Sequence, residues 1–265
     1  MVPVDPARCA ALLRGIGDQL RAGVPVPAGA GLDSLFRVVR AANGWADAAM
    51  RSAFQALHPD IGWAGEASAR QAEGLHWIYD PIDGAYHFAQ GMPLWSSSLT
   101  LVRTGRPIVS FVYDPAQREM FIAEKEARLD GAILRLTAKP DLGAAVLGTA
   151  LPPGRGPDGA LVPAALDAIG RAAGHAFVIR MMASASLQLA YVAAGRLDGY
   201  WELGRDIHDW LAGAHLVRAA GGMVSDLVGR DFGFDADGVV AAPAGLHADL
   251  LAVLSPGGSI RPAAP

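Results

Sequence analysis

A mixed α/β fold is predicted by three features of the 265-residue sequence. The chain opens with amphipathic helical segments, changes after Ile61 to short strand-like runs separated by turn residues, and beyond Lys139-Pro140 alternates strand with helix. A chain of this length can bury a substantial core, either as one large domain or as two fused subdomains. Apolar residues make up 52% and charged residues 18%, a globular composition rather than a disordered one.

The elements follow in order. Cys9, Leu12, Leu13, Ile16 and Leu20 recur at helical spacing, and Gly23 with Pro25 stops that helix. A second helix is expected over about residues 34–57. Strand character then appears at 75–79, 94–102, 108–113 and 120–123. The turn sequences Thr104-Gly105-Arg106-Pro107 and Asp114-Pro115 arrange the later runs as an antiparallel meander. The second half reads as strand 145–148, helix 162–173, strand 177–180, helix 184–194, strand 199–201, helix 208–219, strands 223–225 and 239–242, and a last helix. The division expected is an α+β subdomain over 1–139, an α/β subdomain over 140–255 and a flexible tail over 256–265. The Ala- and Gly-rich stretch 152–160 reads as a loop.

Several functional classes are disfavoured. A net charge of −4 with no run of basic residues argues against general binding to a nucleic-acid backbone. The first residues lack a signal-peptide pattern, and no apolar stretch reaches the ~20 residues of a membrane span. The lone Cys9 excludes an intrachain disulfide framework and fits a reducing compartment, so a cytoplasmic location is expected. Its helical neighbours mark it as a small core residue rather than a reactive thiol.

The most informative stretch is Trp77-Ile-Tyr-Asp80-Pro-Ile-Asp83-Gly84, an apolar strand that ends in two acids. Pro81 sets the local turn and Gly84 allows close backbone approach, so Asp80 and Asp83 can converge on a hard cation through oxygen ligands. Taken alone, Asp-x-x-Asp-Gly more often describes a solvated turn than a cation site. Gly65-Glu66 upstream, and Asp209 at the start of a helix ending in Ala220-Gly221-Gly222, supply two further acids at the ends of buried elements. Four such acids suit a two- or three-metal phosphoryl-transfer site.

These motifs resemble those of the inositol monophosphatase superfamily of magnesium-dependent, lithium-sensitive phosphatases, over about residues 41–254. The family's Gly-Glu-Glu-Ser corresponds to Gly65-Glu66-Ala67-Ser68, and its Trp-Ile-x-Asp-Pro-Ile-Asp-Gly-Thr to residues 77–85. Its Trp-Asp-x-Ala-Ala-Gly corresponds to residues 208–213, and its Glu-Ala-Gly-Gly to residues 219–222. The resemblance implies a layered αβαβα sandwich, a homodimer, two or three Mg²⁺ ions with Mn²⁺ or Ca²⁺ as substitutes, and a small phosphorylated metabolite as substrate. It places Glu66, Asp80 and the Ile82 carbonyl on a first metal, Asp80, Asp83 and Asp209 on a second, and Glu66 again on a weaker third. Asp83, Gly84, Ala85, Ser184 and Glu202 are the phosphate- and substrate-binding set, Gly84 and Ala85 through the free N–H groups of a helix start. For Glu202, a solvated acid at a strand end is the competing reading.

Two departures bear on turnover. Where the family has a Thr after Asp-Gly and an upstream Asp, a pair that activates the attacking water, this chain has Ala85 and Asn43. Alanine cannot relay a proton and asparagine cannot accept one. His87 replaces a family Asn and is either a substitute base or a hydrogen-bonded structural histidine. Asp206 and His208 flank the last metal acid. Trp63, Tyr86 and Trp210 are read as core packing, and Met181-Met182 as packing at a helix entry. The expected activity is Mg²⁺-dependent hydrolysis of a small phosphate monoester. The alternatives are an impaired pseudophosphatase serving as a binding or regulatory module, and a relative with elimination or transfer chemistry.

Overall fold

The structure, a computed structural model, describes residues 4–23, 29, 31–65, 74–154 and 157–255. Helix α1 (Pro6–Ala22) starts where Asp5 accepts the N–H groups of Ala7 at 3.0 Å and Arg8 at 3.4 Å, with proline in the first turn. Both are established start signals, because the first N–H groups of a helix have no partner within it. Its apolar stripe buries Cys9, Leu13, Ile16 and Leu20. Burial pushes the Cys9 thiol up to about 12, as befits a core residue. Helix α2 (Leu32–Leu57) lies beside α1, burying Leu35, Ala42, Ala46, Met50 and Phe54.

Both helices cover one face of a seven-stranded sheet: β1 (Gly62–Trp63), β2 (Leu75–Asp83), β3 (Ser96–Arg103), β4 (Arg106–Asp114), β5 (Glu119–Ala123), β6 (Ala127–Leu129) and β7 (Ala132–Ile133), in sequential order. The meander expected from the turn residues is present from β2 onward, and β1 joins β2 in parallel. Strands β6 and β7 have three and two residues, too few for an alternation to show in sequence. A short helix α3 (Ala85–Ala89) follows β2 directly.

The second half supplies β8 (Val146–Thr149), α4 (Val162–Ala173), β9 (Val178–Met181), α5 (Ala185–Ala193), β10 (Gly199–Leu203), α6 (Ile207–Ala219), β11 (Met223–Ser225), β12 (Gly238–Ala242) and α7 (Ala244–Leu254). Its sheet has the order β11-β12-β10-β8-β9, with β8, β9 and β10 parallel and β12 antiparallel to both neighbours. Helices α5 and α6 lie between the two sheets, and α4 and α7 cover the outer face of the second, which completes the αβαβα layering. Both inner helices are buried nearly all round, as their position between two sheets requires. Within the stretch read as a loop, residues 157–161 form a 3₁₀ turn. The tail over 256–265 lies outside the described residues.

The crossing of α5 and α6 depends on Gly213, because a Cβ there would overlap the Leu189 side chain and lie 3.1 Å from the Ser186 carbonyl. Gly213 stands one turn beyond Asp209, so the same close approach seats that acid. Gly213→Ala should lower stability by about 1–2 kcal/mol, since overpacking of about 1–3 kcal/mol exceeds the ~1 kcal/mol gain in helix propensity. The check is a thermal melt, in which an unchanged or raised Tm would show that the helices can separate freely.

Candidate active site

The site begins with a register shift. Asp80 pairs with Ser98 and Asp83 with Ser96, so β2 takes three steps where β3 takes two. In a regular strand, residues three apart point to opposite faces, and the extra residue of a bulge reverses that parity and turns both acids the same way. The Ser97 hydroxyl donates to the Pro81 carbonyl at 2.6 Å and holds the bulge. Asp80 in turn accepts the Ile82 N–H at 3.1 Å.

Asp83 is gripped by the start of α5. One of its oxygens accepts the Ser184 hydroxyl at 2.9 Å, the Ser186 N–H at 2.7 Å and the Ser186 hydroxyl at 2.5 Å. The Ser96 hydroxyl lies 2.9 Å from that of Ser184 and 2.8 Å from that of Ser186, so strand and helix share one hydroxyl cluster. Ser184 has a φ of 65°, unusual for a residue with a side chain, and it caps α5 by accepting the Leu187 N–H at 3.3 Å. A left-handed conformation of this kind costs about 1–2 kcal/mol, offset here by its bond to Asp83. Asp209 joins from the first turn of α6, where the helix dipole favours an acid. One oxygen each from Asp80, Asp83 and Asp209 lies within 4.8 Å of the others.

These acids are held against their ordinary ionisation. Burial, then the charge of Asp83, pushes Asp80 up to about 7. Burial raises Asp83, although its Ser184 and Ser186 donors oppose the rise. Asp209 is raised by burial first and then by the Asp83 and Asp80 charges. Glu202 accepts the Tyr200 hydroxyl at 2.6 Å and the Trp210 indole N–H at 2.7 Å, and burial pushes it up to about 7. The cavity they share has a volume of about 650 Å³, and no Lys or Arg is among the described residues that line it. Uncompensated carboxylates in a buried cluster fit a divalent cation, whose oxygen coordination matches the donor set.

Beside the acids, Gly84 turns the chain into α3 with a φ of 91°. A Cβ there would lie 2.9 Å from the Leu94 carbonyl and 3.2 Å from Trp95, so no larger residue fits the turn. The first N–H groups of α3 lack helical partners and are available to an anion.

Asp80, Ile82, Asp83, Gly84, Ala85, His87, Ser184, Glu202 and Asp209 all line this cavity. Glu66 lies outside the described residues. Asn43 is on α2 and is not among the lining residues, and its Oδ1 is buried with no hydrogen-bond partner. Three sequence readings need correction. Glu202 is an enclosed acceptor, not a solvated acid. His87 lines the cavity, and its buried Nδ1 has no partner within the protein. Tyr86 is 43% exposed and lies on the cavity rim, because α3 turns Phe88 and Ala89 to the core and leaves Tyr86 on its outer side. Met181 ends strand β9 and is exposed toward the cavity, whereas Met182 lines the cavity and also packs against the core as expected. Trp63 packs against Phe54 and Trp77, and Trp210 is fully buried, as expected of core rings. Sequence reasoning missed Ser96, Ser97 and Ser186. Three consecutive serines, 96–98, entering an otherwise apolar strand were the available signal.

A layered αβαβα fold with clustered acids facing a helix start defines a metal-binding class of phosphatase. The model of the inositol monophosphatase family matches residues 17–256, and the chain belongs to that family. The chain is 38% identical over 210 residues to an inositol-1-monophosphatase of Rhizobium meliloti, covering 76% of this chain and 77% of that one. It is 36% identical over 229 residues to the Nus factor SuhB of Pseudomonas aeruginosa, covering 84% and 83%. Among solved structures, an IMPase of Thermotoga maritima superposes with a TM-score of 0.79 at 25% identity, covering 94% and 95% of the two chains. SuhB of Mycobacterium tuberculosis gives 0.78 at 27% identity, covering 94% and 96%.

The electrostatics generate a test. Asp80 is raised in the fold from an unfolded value of about 3.9, so the metal-free fold binds the extra proton between about pH 4 and about 7 and loses that stabilisation as pH rises. Metal-free Asp80→Asn should therefore melt a few degrees above the natural protein at pH 7.5, with the difference shrinking by pH 5. The variant should also lose the rise in Tm that Mg²⁺ gives the natural protein at pH 7.5. A variant less stable at pH 7.5 and still stabilised by Mg²⁺ would contradict this account.

Proposed function

We propose that the protein catalyses Mg²⁺-dependent hydrolysis of a small phosphate monoester. The observation that carries this reading is the convergence of Asp80, Asp83 and Asp209 within 4.8 Å, in a cavity also lined by the residues that open α3. Asp80, Asp83 and Asp209, with the Ile82 carbonyl and Glu66, are the residues that would hold the cation. When bound, it supplies positive charge to the phosphate and lowers the pKa of the attacking water. The Ser96, Ser184 and Ser186 cluster fixes which Asp83 oxygen stays free for that duty. The first N–H groups of α3 would take the phosphate oxygens, and the Gly84 turn aims them. Glu202 faces the cavity as a hydrogen-bonding group for the alcohol half of the substrate. A cytoplasmic homodimer belongs to the same proposal and is supported by family membership alone.

A second reading, a metal- and phosphate-binding module with little turnover, is favoured by one specific observation. Ala85 brings no hydroxyl to the cavity, and the Asn43 Oδ1 is buried without a partner, as loss of both members of a proton relay would leave it. Several relatives are named as Nus factors and not as phosphatases.

Phosphate release from inositol monophosphate separates the two readings. The natural protein should turn over slowly. The Asn43→Asp, Ala85→Thr double variant should gain about 10²- to 10⁴-fold in kcat, more than the product of the two single gains, with KM little changed. A natural protein already working at about 10 s⁻¹ would show that another base acts. His87→Ala would then identify it, through a loss of about 10²-fold or more.

A further inference from the structure

One wall of the same cavity is hydrocarbon, although the cavity also holds the acid cluster. Strands β8 and β9 run parallel and end level, with Thr149 opposite Met181. Past their ends, the Met182 N–H donates to the Thr149 carbonyl at 3.2 Å. Gln188 ties the pair from below, its Nε2 donating to the Met182 carbonyl at 3.0 Å and the Thr149 carbonyl at 3.4 Å. The segments so held side by side present Ala150, Leu151 and Pro153 on one and Met181 and Met182 on the other. Leu151 is 39% exposed and Met181 59% exposed, so their apolar surface is unburied in the protein alone. The Tyr86 ring also lines the cavity and is braced edge-on by Phe36, with ring centres 5.7 Å apart.

Some of the polar groups nearby are committed, while the Tyr79 hydroxyl and the His87 Nδ1 are buried without a partner. Ser184 is bonded to Asp83, and one Glu202 oxygen already serves Tyr200 and Trp210. A cyclitol or sugar phosphate would bring several hydroxyls against this wall, and each would exchange water for carbon. An aromatic alcohol would instead gain contact with two thioethers, a leucine and a tyrosine ring, all of which pack well on aromatic faces.

Resting on the phosphatase reading, we propose that the preferred substrate is the phosphate monoester of an aromatic alcohol, its ring lying on the wall formed by Leu151, Pro153, Met181 and Met182 and facing Tyr86. The strand ends provide the specificity, and the acids with the start of α3 provide the common phosphate end.

Calorimetric titration in Mg²⁺ with phenylphosphonate, methylphosphonate and myo-inositol 1-phosphate tests this without depending on turnover. Phenylphosphonate should bind at least about tenfold more tightly than either of the others, the scale of discrimination that a small apolar contact supplies. In the Leu151→Ser, Met181→Ser double variant, both changes being at exposed positions, the phenyl-to-methyl ratio should collapse towards one. If methylphosphonate binds but the phenyl compound gains nothing, or if myo-inositol 1-phosphate binds more tightly, the aromatic preference is refuted and the phosphatase reading stands. If the ratio survives in the double variant, the ring lies elsewhere and the proposed wall is wrong. If none of the three binds, the metal-phosphate reading itself falls, and this inference falls with it.

Discussion

Burying Asp80, Asp83 and Asp209 within 4.8 Å of one another is the constraint around which the rest of this protein is arranged. Each acid is unfavourable where it stands, through lost hydration and through repulsion by its neighbours. The fold tolerates them because three separate elements each contribute one restraint. The bulge in β2 turns two acids to one side, the serines at the start of α5 neutralise part of Asp83, and the first turn of α6 favours Asp209 through its dipole. A divalent cation fits as the remaining compensation.

That constraint explains features of the layers that look unrelated to chemistry. Helices α5 and α6 must approach closely between two sheets, and Gly213 permits it by having no side chain to meet Leu189. Gly84 must turn the chain through a left-handed conformation under the Leu94 carbonyl for β2 to pass directly into α3. The hydroxyl-rich beginning of β3 belongs to the same logic. Ser96 and Ser97 are fully buried, yet they serve the acids on β2 rather than the apolar core.

The two ends of the cavity are built on different principles. At the acid end, side chains are held by hydrogen bonds and their positions follow from the backbone registers of β2, α5 and α6. At the wall formed past β8 and β9, the backbone is held by Gln188 while the side chains are left bare. Among the described residues, the two ends are linked by hydrogen-bonded side chains only through α5. Under the proposed function, Asn43 and Ala85 bear on the activation of water and the bare strand ends on the choice of alcohol, so the two can be altered separately.

By itself, the sequence determined the order and kind of nearly every element, because periodicity, proline and glycine act locally. Helix α4 and strand β11 have the boundaries read from pattern alone, and the Asp80 to Gly84 motif announced its strand end and turn. It also determined the family, since motif order and spacing survive in one dimension. Only the tertiary structure decided what surrounds each motif. That Ser186 grips Asp83 from 103 residues away and meets Ser96 from 90 away, and that Tyr86, Met181 and Met182 line one cavity with the acids, are long-range facts. A side chain's charge state and partners depend on which distant segment packs against it, and local spacing carries no record of that.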